Sequence, residues 1–337
     1  MLHNMKSKWL FVLAGVIIAG VIIVKIMNKP HKTKKQDQKP AKSTTVEERD
    51  STWTAPAVDS NIMTSGKERE IIIYGHDLIA HTSKYFGPNG TVSHTTNGMN
   101  CQNCHLDAGT RSWGNNYAAV YATYPQLRSR SNTLQDIYGR VNDCFQRSLN
   151  GKALNNNSYE MKSIYAYMKW LGQNVPKGKK PYGSGLPKLP FLNRAADPQK
   201  GKLVYINLCQ ACHGNKGQGI LNASGNEYLF PPVYGEHSYN DGAGLYRISS
   251  FASFVSNNMP FNQATHKLPT LTNEQAWDVA AFVNSQPRPH LDQRKDWPDV
   301  SKKPFDAPFG PYADAFTEKQ HKFGPFTPIV NAKKQKK

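Results

Sequence analysis

Two pentapeptides constrain this chain more than any other feature: "CQNCH" from Cys101 to His105 and "CQACH" from Cys209 to His213. Both have the frame Cys-x-x-Cys-His. Two thiols at that spacing can add to the two vinyl groups of one haem, and the adjacent histidine then reaches the iron as proximal ligand. A pair of zinc or disulfide sites is the competing reading, but a single Cys2His cluster lacks a fourth zinc ligand unless the two clusters combine. Two complete copies, using four of the five cysteines, favour two covalently bound haem c groups. Cys101, Cys104, Cys209 and Cys212 would carry the thioethers, and His105 and His213 would take the irons.

The two motifs lie 108 residues apart, a domain-sized period too long for a solenoid repeat. With 337 residues and 38% apolar content the chain can bury two modest cores. Each half has the same grammar. "SGKEREIIIYGHDLIAHT", with Ile71, Ile72, Leu78 and Ile79 on a helical period, opens the first half, and "SYEMKSIYAYMKWLGQNV" closes it. In the second half "DPQKGKLVYINLCQACHG" runs into the motif, and "LTNEQAWDVAAFVNSQ" closes it with Thr272 as N-cap. An opening helix, the motif, a ligand-bearing loop and a closing aromatic helix are the layout of the class I cytochrome c fold. The expected class is therefore mainly α, with cytochrome c-like domains over 61–176 and 197–290. Residues 177–196 read as a Gly/Pro-rich linker, and 291–337 as an extended C-terminal arm.

Trp9 to Val24, "WLFVLAGVIIAGVIIV", carries no charge and with its flanks approaches the length needed to cross a bilayer. No small-x-small cleavage site closes the run, so 1–28 reads as an uncleaved membrane anchor. Lysines follow the segment and by the positive-inside tendency argue against outward domains. Haem c attachment as a class occurs on the outer side of the energy-conserving membrane, which places the domains there or in a periplasm. Residues 29–60, rich in Lys, Gln, Ser, Thr and Pro, read as a disordered basic tether. Together with "NAKKQKK" at the C-terminus they inflate the formal charge of +18, so that charge marks solvated tails, and no nucleic-acid partner is expected.

Each haem needs a distal ligand. Met259 in "SNNMPF" lies 46 residues after His213, and Cys144, the fifth cysteine, lies 39 residues after His105, comparable places in two copies of one plan. Met161 and Met168 fall inside the expected closing helix, where an apolar face explains them. His76, His81 and His94 are further candidates for the first haem, His266 is one for the second, and an inert buried thiol is the plain alternative for Cys144.

The run "CQNCHLDAGT…YPQLRSR…GRVNDCFQRSLNGKAL", with "CQACHG" and "NNMPF", resembles the dihaem thiosulfate dehydrogenase family, whose members interconvert thiosulfate and tetrathionate. The resemblance spans roughly Met63 to Pro289. It implies that Cys144 ligates the first, active-site haem, that Met259 ligates the second, and that Arg130, Arg140 and Ser148 line the substrate pocket. Some members place a lysine before the methionine and exchange ligands on reduction. Asn258 stands there in this chain, which argues against that exchange.

These residue types suit the implied chemistry. Joining two thiosulfate dianions gathers four negative charges. The planar fork of arginine matches sulfonate oxygens with paired hydrogen bonds, and Ser148 can donate another. A surface arginine or a haem-propionate partner is the plain alternative for Arg130 and Arg140. The thiolate is the nucleophilic form of cysteine, so Cys144 can serve as nucleophile as well as ligand. Anionic sulfur ligation lowers a haem potential and methionine raises it, so electrons would run from the first haem to the second and on to an external carrier such as a small cytochrome c. Two other functions compete: a non-enzymatic dihaem electron carrier, and a dihaem peroxidase. The peroxidase needs an open haem site, which a firmly bound cysteine opposes.

Overall fold

The computed structural model describes residues 52–57 and 66–335. The expected anchor over 1–28, and all of the tether except residues 52–57, lie outside the described residues. Among the described residues no helix is long and apolar enough to cross a membrane.

The first half is built on helices α1 (Lys67–Ala80), α2 (Ile137–Arg147) and α3 (Tyr159–Gly172). The second is built on α4 (Pro198–Leu208), α5 (Ile248–Asn258) and α6 (Asn273–Ser285). Local chemistry starts most of them. Asp136 caps α2 by accepting from the Gly139 amide, Ser158 caps α3 through the Met161 amide, and Asp197 caps α4 with Pro198 in its first turn. Thr272 and Gln275 close a reciprocal capping box at α6, satisfying two otherwise orphaned donors. Sheet is confined to two small antiparallel hairpins among the described residues. One joins β1 (Gln126–Arg128) to β2 (Thr133–Gln135), and the other joins β3 (Ile220–Leu221) to β4 (Tyr228–Phe230).

In each half the opening and closing helices pack together, α1 on α3 and α4 on α6, and a glycine marks each crossing. A Cβ on Gly75 would stand 2.0 Å from the Ser163 carbonyl oxygen and 2.9 Å from the Tyr167 Cβ. A Cβ on Gly201 would stand 1.8 Å from the Asp278 carbonyl oxygen and 2.9 Å from the Phe282 Cβ. Both pairs of obstructing residues are spaced i, i+4 on the closing helix, so the same backbone-to-backbone contact is built twice. Gly75→Ala and Gly201→Ala should each force the helices apart, at a cost of about 1–3 kcal/mol. Chemical denaturation would detect it as a lower midpoint with unchanged slope.

Two apolar cores result. One gathers Ile72, Leu78, Ile79, Phe86, Phe145, Met161, Ile164 and Tyr167, and the other gathers Tyr205, Phe251, Phe254, Trp277 and Phe282. The C-terminal segment departs from the expected extended arm. It carries short helices at α7 (Glu318–Phe323) and α8 (Thr327–Gln335), and buries Phe326 and Ile329 in the second core. Trp277, Phe305 and Phe191 surround the Phe326 ring, which gives the arm an apolar reason to fold back.

Candidate active site

Helix α2 holds three of the candidate site residues. Arg140, Cys144 and Ser148 are spaced by four, so they share one face, and all three line a cavity with Cys101, Cys104 and His105. Ile137, Val141 and Phe145 pack the helix into the first core. The cavity encloses about 900 Å³ of non-atom space, part of it open to solvent.

The residues fit a haem c at this position. The Asn115 carbonyl can only accept, so the 2.6 Å contact makes His105 Nδ1 the donor and leaves Nε2 free for iron. Burial lowers the His105 pKa to about 4, against the opposing pull of the Asn115 carbonyl, so the ring is neutral at pH 7 as a ligand must be. Tyr117 stacks on the imidazole at 4.5 Å. Burial also pushes the Cys101 and Cys104 thiols up to about 12, with the Cys144 charge adding to it; as thioethers they would no longer titrate. The second motif repeats the arrangement. His213 Nδ1 donates to the Pro231 carbonyl at 2.8 Å, and burial lowers its pKa too. Met259 follows α5 directly as its C-cap and packs, partly buried, against the second core.

Arg140 is half-buried, and its pKa is raised above the ordinary value, first by the adjacent Cys144 charge, with burial opposing. Its guanidinium is thus a cation set beside a sulfur. Arg130 is placed differently and does not line the cavity. It donates to the Gly242 carbonyl at 2.7 Å, lies 3.9 Å from Asp296 and stacks over Trp297 at 4.7 Å. Burial lowers its pKa to about 10, with the Arg147 charge adding to it, so it stays charged at neutral pH. Arg147, the last residue of α2, pairs with the same Asp296 at 2.8 Å.

Of the other candidates for the first iron, Met168 lines the cavity, and Met161, His76, His81 and His94 do not. Met161 is fully buried in the core, His76 packs edge-on against Tyr167, and His81 pairs with Glu227. Sequence reasoning missed Asn115, Tyr117, Arg147 and Asp296. Arg147 could have been found from its i+3 spacing to Cys144, but the others carry no sequence signal.

The duplicated fold and paired motifs define a dihaem c-type cytochrome. Residues 91–176 match the SoxA/TsdA cytochrome c domain and 198–287 match the cytochrome c domain. The thiosulfate dehydrogenase of Allochromatium vinosum is 37% identical over 240 residues, 70% of this chain and 84% of its own length. The chain belongs to the thiosulfate dehydrogenase family. The Psychrobacter arcticus thiosulfate dehydrogenase is 39% identical over 60% of this chain. The thiosulfate dehydrogenase (TsdBA) of Marichromatium purpuratum, in its as-isolated form, superposes with a TM-score of 0.66 at 31% identity over 74% of this chain. The matched region spans 61% of the P. arcticus protein and 52% of the M. purpuratum chain. The chain carries two covalent haem c groups, one on each motif.

Proposed function

We propose that this protein joins two thiosulfates into tetrathionate with release of two electrons, reversibly, using Cys144 as distal haem ligand and sulfur nucleophile. The observation that carries it is the shared face of α2, which brings Arg140, Cys144 and Ser148 into one cavity with His105. A carrier cytochrome has no need for a cation and a thiol side by side at its haem.

The haem groups, when bound, each accept one electron. The protein's own residues do the rest. Arg140 draws a sulfonate into the cavity and offsets its charge. The Cys144 thiolate couples to the terminal sulfur of the first thiosulfate; an S–S bond forms, two electrons leave, and the product is a cysteine S-thiosulfonate. A second thiosulfate attacks the outer sulfane sulfur of that adduct. One S–S bond forms, the bond to Cys144 breaks, tetrathionate departs and the thiolate is regenerated. Arg140 and Ser148 hold sulfonate oxygens through both steps, and Arg130, which lies close enough to feel the Arg140 and Arg147 charges, adds positive potential outside the cavity lining.

The test is a ferricyanide-coupled assay with thiosulfate as sole donor, with tetrathionate identified as product. Inactivity of fully haem-loaded protein would leave the electron-carrier reading. Met259 is proposed as the distal ligand of the second haem. Met259→Gly should disturb the second haem's spectrum and lower its potential while leaving the first haem's spectrum intact; an undisturbed second haem would move the role elsewhere. Residues 1–28 are proposed to anchor the protein on the outer side of the membrane, where a small cytochrome c takes the electrons. Release into the soluble fraction on removing 1–28 would be the expected result, and a soluble full-length protein the contrary one.

A further inference from the structure

The loop bearing Met259 rests on the segment that follows the first haem motif, which meets it through Arg111 and Trp113. Asn258, 2% exposed and adjacent to Met259, donates its side-chain amide to the Trp113 carbonyl at 3.0 Å and to Phe254 of its own helix at 3.0 Å. The Trp113 ring stacks on His266 at 4.2 Å and 26°, and His266 is held by the Asn257 side chain at 2.7 Å. Arg111 donates to the Asn262 side chain at 3.1 Å and lies over the Phe261 ring at 4.5 Å. From the other side the linker grips the same residue: the Trp113 amide donates to Gly183 at 2.8 Å, and Tyr182 meets the indole edge-on at 5.0 Å.

Trp113 adopts this position at φ +60, a left-handed conformation that is strained for a bulky residue. That conformation aims its carbonyl at Asn258 while its ring covers His266. Two residues on, Asn115, also at positive φ, offers its carbonyl to His105. One short strained segment therefore holds the proximal histidine of the first motif and the Met259 loop of the second domain together.

We infer that Trp113 is a positioning residue that holds the Met259 loop in one place against the first haem domain, and so sets the second haem's potential and its coupling to the first. The inference rests on the proposed ligation by Met259. Asn258, with its amide committed to Trp113, belongs to the same device: it ties the methionine loop down.

The test uses full-length, haem-loaded protein. Trp113→Gly tolerates the left-handed backbone and removes the ring. It should weaken the methionine-to-iron charge-transfer band and lower the second haem's midpoint potential, leaving the first haem's spectrum and the KM for thiosulfate unchanged while kcat falls. Trp113→Phe keeps a stacking ring and should restore the wild-type potential. If Trp113→Gly fails to accumulate, His266→Ala removes the other half of the stack at a half-buried loop position and should move the potential the same way. An unmoved second-haem potential in Trp113→Gly or His266→Ala, or a disturbance confined to the first haem, would overturn the inference. Met259→Gly in parallel separates the two ideas. If it leaves the second haem undisturbed, the ligand assignment fails; if it disturbs that haem while Trp113→Gly and His266→Ala do not, only the positioning role fails.

Discussion

Cys144→Met should retain both haems and the fold, and lose thiosulfate oxidation and tetrathionate reduction together. In the proposed mechanism both directions pass through the same sulfur, so a single substitution should remove both. Methionine still offers iron a sulfur, but its thioether cannot become a thiolate or form the S-thiosulfonate. Loss of the nucleophile from a covalent mechanism costs on the order of 10⁴-fold or more, well beyond any packing effect of the larger side chain at this half-buried position. Overpacking of a core typically costs about 1–3 kcal/mol, which thermal melts would register separately. Cys144→Gly should be equally inactive with its first-haem ligation changed, whereas Cys144→Met should keep sulfur ligation and raise the first haem's potential. Substantial tetrathionate formation by Cys144→Met would make the residue a ligand alone and end the covalent mechanism.

The face of α2 explains why so much of this centre could be read before the fold was known. Arg140, Cys144 and Ser148 are neighbours by helical spacing alone, and the Asp136 cap that starts their helix is likewise local. The haem motifs are pentapeptides whose chemistry needs no tertiary context. The closing helix of the second half announces itself in the same way, through the Thr272 and Gln275 capping box.

Arg130 could not be placed from sequence because its partners come from far away: Gly242 lies 112 positions on in the second domain, and Asp296 and Trp297 belong to the arm. The arm itself reads as extended because proline and charge dominate its composition. Four rings and one aliphatic side chain, Phe305, Phe316, Phe323, Phe326 and Ile329, reverse that by reaching the second core. Proline does not oppose the last helix, since Pro328 sits in its first turn, where no amide hydrogen is needed. Trp113 was invisible for a different reason. Its role depends on a left-handed backbone that few large residues adopt.

Arg140→Ala should be more damaging to turnover than Arg130→Ala, although the two arginines look alike in sequence. Among the described residues the Arg140 side chain makes no hydrogen bond or ion pair, and its guanidinium lies beside Cys144 in the cavity, so its donors are available to the proposed substrate. Arg130 is already committed to Gly242 and Trp297, with Asp296 shared between it and Arg147. Losing one charge-assisted contact costs roughly 1.5–3 kcal/mol, or about one to two decades in kcat/KM. Arg140→Ala should reach the upper end of that range, because it removes both a sulfonate donor and the cation beside the thiolate. Arg140→Lys should recover only part of the loss, since an ammonium keeps the charge without the planar fork. Arg130→Ala should weaken thiosulfate binding at the lower end of the range, and should also lower thermal stability, because the partly buried Asp296 and the Gly242 carbonyl each lose a partner. Steady-state kinetics and melting curves on the three variants would separate these outcomes. Equal kinetic losses for Arg130→Ala and Arg140→Ala would mean that Arg130 leaves Gly242 to meet the substrate, and wild-type kinetics in Arg140→Ala would remove the cation from the mechanism.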